Sequence, residues 1–140
     1  MEPVIQPIRA ADTYDLRHRV LWPDQPIEYV QLPGDESGWH FGAFEAGQLR
    51  SVVSLFVEGE VARFRKFATE PTEQGRGFGS ALLWYVMQEA AERGARRLWC
   101  DARQEKAGFY QKFGFGVEGE PFYKGPVPYV RMSCALPASR

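Results

Sequence analysis

Cysteine is scarce in this sequence: Cys100 and Cys134 are the two present among 140 residues. Two cysteines so far apart are no disulfide framework. Both lie in apolar, strand-like segments, so reduced and buried thiols are expected. A surplus of either charge is also missing. Seventeen Lys and Arg stand against eighteen Asp and Glu, a formal net charge of −1. That balance argues against the broad basic surface that a nucleic-acid partner requires, and leaves room for a local basic site for a small anion. No apolar run approaches the ~20 residues of a membrane span. The opening stretch "MEPVIQPIRAADTYDLRHRV" lacks the basic-then-apolar layout of a secretory signal. A cytoplasmic protein without membrane or nucleic-acid partners is therefore expected, and no metal centre. Internal repeats and low-complexity segments are absent as well.

What the chain has is core material. Hydrophobic residues make up 44%, with ten Phe, six Tyr and four Trp. A length of 140 residues suggests one domain over 1–140, large enough to bury about two-thirds of the surface its unfolded chain exposes.

The pattern along the chain reads as α/β or α+β around a mixed sheet of six or seven strands. "VIQPIRA" (Val4–Ala10) is a short strand whose Pro7 argues for an edge. A helix follows, opened by Asp12-x-x-Asp15 in the manner of a capping box, with Leu16 and Val20 on one face and Pro23 as its stop. The Pro-, Gly- and acid-rich stretch "DQPIEYVQLPGDESG" is a loop with at most one irregular turn. Three strands, Trp39–Ala46, Leu49–Glu58 and Val61–Thr69, are joined by short turns and predict an antiparallel meander. A strong helix starts near Gly79 and stops at Gly94. Then come a strand at Arg96–Ala102, a short helix at Glu105–Gly114, and two final strands around "FGVEGE" and "PYVRMSCAL".

The chemistry concentrates in "TEQGRGFGSALLWYV" (Thr72–Val86), where Gly75, Gly77 and Gly79 alternate just before the helix. Glycine permits left-handed backbone and close approach of another group. The first four N–H groups of a helix lack intrahelical partners and carry the positive end of its dipole. Together these features make an anion site, with phosphate the usual occupant. Arg76 adds a charged donor and Ser80 a hydroxyl. The segment is not a P-loop, which needs a Gly-Lys-Ser/Thr ending, and it follows a meander where a dinucleotide fingerprint would follow the first strand of a βαβ unit.

The run Gln74-Gly75-Arg76-Gly77-Phe78-Gly79 resembles the Q/R-x-x-G-x-G/A signature of GNAT-type N-acetyltransferases. "GFYQKFGF" (Gly108–Phe115) resembles the same family's "FYxKxGF" segment, and the order of elements fits over nearly the whole chain. "LRHRVLWPDQPIE", "HFGAF" and "FRKFAT" resemble a bacterial subgroup of small, general members. The resemblance implies a single-domain GNAT-like fold with about four helices flanking the sheet, and acetyl-CoA as cofactor. It implies that the backbone from Gln74 through Gly75, Arg76, Gly77, Phe78 and Gly79 to Ser80 holds the pyrophosphate. It also implies that Phe67, Ala68 and Thr69 line the pantetheine arm, which can add to a sheet edge like a peptide strand. Tyr110 matches the tyrosine that faces the thioester sulfur, where a hydroxyl can donate a proton to the departing thiolate. Where many relatives carry an Asn that contacts the pantetheine, this chain has Arg103, which could reach a CoA phosphate instead or face solvent.

A base for the attacking amine is not singled out: Glu28, His40, Asp101 and a bound water are all open, as is an amine that arrives already deprotonated. His40 fits a structural role better. Arg63, Arg65 and Lys66 on one strand, and Arg17, His18 and Arg19 on the first helix, read as solvated charge or as contacts for an anionic acceptor. Two functions follow. The first is acetyl transfer from acetyl-CoA to a primary amine of a small molecule or peptide. The second is an acetyl-CoA sensor or partner-binding module without turnover. Pairing into a homodimer through sheet edges stays open.

Overall fold

The structure, a computed structural model, describes residues 2–138. Seven strands form one mixed sheet in the order β1-β2-β3-β4-β5-β7-β6. They are β1 (Val4–Ile8), β2 (Trp39–Glu45), β3 (Gln48–Glu58), β4 (Val61–Thr69), β5 (Arg97–Arg103), β6 (Gly116–Lys124) and β7 (Val127–Ala135). Three α-helices are present, α1 (Ala10–Leu16), α2 (Phe78–Glu92) and α3 (Ala107–Gln111), where about four were expected. Between α1 and β2, where the sequence reads as a loop with at most one irregular turn, the chain makes two 3₁₀ turns, Ile27–Val30 and Asp35–Ser37, and its prolines and glycines prevent a longer helix.

Of the expected meander, β2 and β3 pair antiparallel and β4 lies next to β3; β1 adds antiparallel to β2, with Pro7 on this edge strand opposite Phe41. The start of α1 differs. Arg9 is the N-cap, and Asp12 at the third helical position accepts the Arg9 N–H at 2.9 Å. Asp12 closes the cap from inside the helix, so the helix begins at Ala10, five residues before Asp15. Past Leu16 the helix continues through Arg17–Leu21 in π-type turns.

The chain divides into two compact units. One comprises Met1–Phe56 and Phe64–Glu89; the other comprises Val57–Arg63 and Ala90–Arg140. In the first, Leu16, Val52 and Ala68 form a core cluster joined by Ile8, Val20, Leu21 and Leu49. The apolar face of α2 buries Leu82, Leu83 and Val86, and Tyr85 meets the Phe41 ring edge-on at 5.2 Å. Such side chains contribute about 1.5–3 kcal/mol each on burial.

In the second unit, the beginning of β4 pairs in parallel with β5 (Val61–Arg63 against Arg97–Trp99), and β7 pairs antiparallel with both β5 and β6. Alternation along β5 sorts its side chains to two faces. Leu98, Cys100 and Ala102 are buried opposite Cys134, Met132 and Val130. Trp99, Asp101 and Arg103 lie on the other face opposite Ser133, Arg131 and Tyr129. Among the described residues, no helix is long and apolar enough to cross a membrane.

Candidate active site

The first unit carries the glycine loop. Gly75 has φ +83° and Gly77 φ +91°, a left-handed backbone that a side chain would strain. Space is open where a Cβ would stand at either position. Gly77 is the residue before α2, and its carbonyl accepts the first helical bond, from the Ala81 N–H at 3.0 Å. The N–H groups of Gly77, Phe78, Gly79 and Ser80 therefore precede the first intrahelical bond. Phe78 packs its ring into the core, while Ser80 stays exposed. Gly79 lies inside the helix, so conformation requires two of the three glycines.

The loop is tied to its strand. The Gln74 amide donates to the Thr69 carbonyl at 3.2 Å. The hydroxyls of Thr69 and Ser51 meet at 2.8 Å, and Ser51 also donates to the Ala68 carbonyl at 3.2 Å. Ala68 is buried and Phe67 is half-buried, edge-on to Phe64. One residue earlier stands a feature that the sequence did not announce. Lys66 has φ +56°, a left-handed non-glycine residue inside β4. Such residues mark irregular strand geometry and cluster at functional sites. Lysine gives no sign of it, because glycine or asparagine would be the usual occupant.

The Arg76 side chain points to carboxylates. It donates to Glu45 at 3.0 and 2.6 Å and also bonds Glu73. These bonds raise the affinity of Arg76 for its proton, and hydrogen bonding by Arg76 lowers the pKa of Glu45. The arginine thus staples the exposed loop to the end of β2. Its backbone N–H, one residue before Gly77, remains part of the loop's donor array.

Tyr110 lies in the second unit, on α3. It is buried, with Phe109 at 5.2 Å and Phe115 at 5.9 Å between ring centroids. The turn after α3 explains how it is held. The Phe115 N–H reaches back to the Tyr110 carbonyl at 3.3 Å and the Gly114 N–H to the Gln111 carbonyl at 3.0 Å, a Schellman pattern that folds Phe115 onto the tyrosine ring. Burial pushes the Tyr110 hydroxyl far above the ordinary phenol range, with Cys100 and Tyr129 adding to the shift. It therefore keeps its proton at neutral pH. Burial likewise raises both thiols, that of Cys134 to about 11. Arg103, at the end of β5, directs its Nε to the Tyr129 hydroxyl at 3.4 Å.

His40 and Asp101 are both engaged. Nε2 of His40 donates to the Asp35 carbonyl at 2.9 Å, and Nδ1 meets the Ser54 hydroxyl at 2.7 Å. Ser54 also accepts from Arg17 at 2.8 Å, so it links the histidine to the buried arginine. Arg17 is fully buried and forms a two-pronged bridge to Asp35 at 2.8 and 2.9 Å. Burial raises the Asp35 carboxyl, but bonds from Arg17 and the Leu32 N–H outweigh it and leave the pKa lowered. Arg17 is thus structural and neither solvated nor available to an acceptor; Arg19 is bound to Asp15 and Glu70. Asp101 is ringed by Arg63, Arg131 and Lys124. Glu28 is exposed on the first 3₁₀ turn.

Comparison with known proteins agrees with this geometry. The profile of the acetyltransferase (GNAT) family matches residues 8–115. An N-acetyltransferase of Bacillus subtilis strain 168, YitI, itself uncharacterised, is 35% identical over 127 residues, covering 84% of this chain and 85% of that protein. A solved GNAT acetyltransferase of Elizabethkingia anophelis, with acetyl-CoA bound, aligns with a TM-score of 0.76 at 20% identity, over 96% of this chain and 99% of that one. The ribosomal-protein-S18-alanine N-acetyltransferase of Escherichia coli aligns with a TM-score of 0.80 at 20% identity, over 99% and 96% of the two chains. The chain belongs to the acetyltransferase (GNAT) family and is an acetyl-CoA-dependent acyltransferase.

Proposed function

We propose that the chain works as one catalytic domain that transfers the acetyl group of acetyl-CoA to a primary amine of a small molecule or peptide, by direct attack of the amine on the thioester. The observation that carries the cofactor half is the loop at the head of α2. Two left-handed glycines, open space at both, and a run of backbone N–H groups ahead of the first helical bond suit a pyrophosphate. Gln74 to Ser80 would supply these donors, with the backbone of Phe67, Ala68 and Thr69 beside the pantetheine arm. The cofactor supplies an acetyl group already activated as a thioester. Arg76 is read as the loop's anchor, since its guanidinium is held by Glu45 and Glu73. Arg103 is read as a contact to the cofactor from the end of β5.

Tyr110 is the catalytic residue in this reading, its hydroxyl donating to the sulfur as negative charge develops there. Its raised pKa favours a hydrogen bond over complete proton transfer, because a thiolate is the weaker base. The remaining catalytic power is positioning of the two reactants. His40 and Asp101 have their polar atoms engaged, so the amine is read as shedding its proton to water before attack.

The test is thiol release from acetyl-CoA across a panel of amines, beside thermal stabilisation by CoA. Release with at least one amine, together with a CoA-dependent rise in Tm, is expected. Stabilisation without release on any amine would favour a binding module and overturn the transfer reading.

A further inference from the structure

The outward face of β5, β7 and β6 in the second unit has a charge composition unlike that of the whole chain. By strand register it carries Arg97, Arg103, Lys124 and Arg131, joined by Arg63 from the start of β4, against Asp101 and Glu118. Five basic residues thus face two acidic ones on a chain whose net charge is −1. Arg97 and Glu118 form their own pair, with Ser133 also donating to Glu118.

The rest is organised around Asp101. Arg131 grips its two oxygens at 2.9 and 3.3 Å, Arg63 donates at 3.0 Å, and the Lys124 ammonium stands 3.9 Å away. The Asp101 carboxylate is 6% exposed, whereas its partners are 25% (Arg63), 35% (Lys124) and 46% (Arg131) exposed. Both guanidiniums also lie over the Trp99 ring, at 4.3 and 4.1 Å from its centroid. Lys124 lies over Tyr129 at 4.6 Å.

Each of these cations is held by the buried carboxylate yet keeps part of its side chain at the surface. Like charges gathered around one carboxylate repel one another. A guanidinium presents five N–H donors in a planar fork suited to carboxylate or phosphate, and Arg131 uses two of its groups on Asp101. A solvated sheet face would scatter such charges; here one shielded carboxylate and one indole converge them.

We propose that Arg63, Lys124 and Arg131, set by Asp101 and Trp99, form a cradle for an acidic group, carboxylate or phosphate, carried by the amine acceptor. The assignment to the acceptor rests on the transfer reading above; the cradle itself does not.

The test uses matched amines: β-alanine against propylamine for the carboxylate, and O-phosphoethanolamine against ethanolamine for the phosphate. The kcat/KM of the acidic member should exceed that of its neutral match at least tenfold in one series, which identifies the group. Arg131→Gln and Lys124→Gln should each cut that ratio severalfold, chiefly through KM. Lys124→Gln leaves the bidentate Asp101–Arg131 contact in place, so it tests the cradle without unpairing the carboxylate. In parallel, the Trp99 indole N–H signal, identified with Trp99→Phe, is followed by NMR as each acidic amine is titrated at constant ionic strength. A saturable shift that weakens in Lys124→Gln is expected. No saturable shift, or equal kcat/KM within both pairs, overturns the cradle. Thiol release without preference leaves acetyl transfer standing and removes the cradle. A saturable shift with no release from any amine keeps the cradle and removes the transfer reading.

Discussion

Tyr110→Phe separates the hydroxyl from everything else the tyrosine does. The ring keeps its contacts with Phe109 and Phe115, and the turn that seats it uses backbone groups alone. The hydroxyl, with the bonds it makes, is what is lost. A hydrogen bond to a charged partner contributes about 1.5–3 kcal/mol. At 1.36 kcal/mol per decade, its loss in the transition state slows kcat by about 10- to 150-fold. Full proton transfer would permit losses up to about 10⁴-fold. The smaller range is expected because burial holds the Tyr110 pKa far above that of a thiol, so handing over the proton is uphill. The same shift predicts that kcat of the wild-type enzyme shows no descending limb from this group up to about pH 10. Thiol release at saturating amine gives kcat, calorimetry gives the CoA affinity, and a thermal melt checks the fold. A variant within twofold of the wild-type kcat would refute the role. A loss confined to CoA affinity would make Tyr110 a binding residue and would refute the role equally.

Gly77→Val places a branched side chain at φ +91°, a strain of about 1–3 kcal/mol, in the space a phosphate would use; the CoA-dependent rise in Tm should disappear while the helical signal of α2 persists. Glu45→Gln loosens the staple on Arg76, and CoA affinity should fall severalfold by calorimetry; tighter binding would show instead that Arg76 is a phosphate ligand held back by Glu45. Asp35→Asn leaves a fully buried arginine without its charge partner, a loss of about 3–5 kcal/mol by denaturant unfolding at pH 7. The Asp35 pKa is lowered on folding, so its contribution is fully present above the unfolded value of about 3.9 and is lost as pH falls through the folded one. The gap between wild type and variant should therefore begin to narrow below about pH 4 and close once pH falls through the folded value, and a gap that stays constant on further acidification would contradict the assignment.

The parts of this molecule that could be read along the chain are those whose demands are local. Gly75 and Gly77 answer a backbone conformation at their own positions, and the helix they precede announces itself by the spacing of Leu82, Leu83 and Val86. The succession β2, β3, β4 followed because short turns leave few alternatives, whereas the place of β7 between β5 and β6 did not. What could not be read depends on partners far away in sequence. Arg17 sits among other charges in "LRHRV", and nothing nearby shows that it is buried with Asp35, eighteen residues on, or that the helix changes to π-type turns where it is buried. Arg76 looked like a phosphate donor because it stands among the loop glycines; Glu45, thirty-one residues earlier, engages its guanidinium instead. Arg63 and Arg131 are unremarkable until register places them on either flank of β5, where Trp99 and Asp101 gather them. The contrast has a functional counterpart. In the reading proposed here, pyrophosphate would be held by main-chain groups, so its site would be written in a few consecutive residues. In the reading proposed here, the acceptor is selected by side chains from β4, β5, β6 and β7, so the choice can change one side chain at a time while the glycine loop stays as it is.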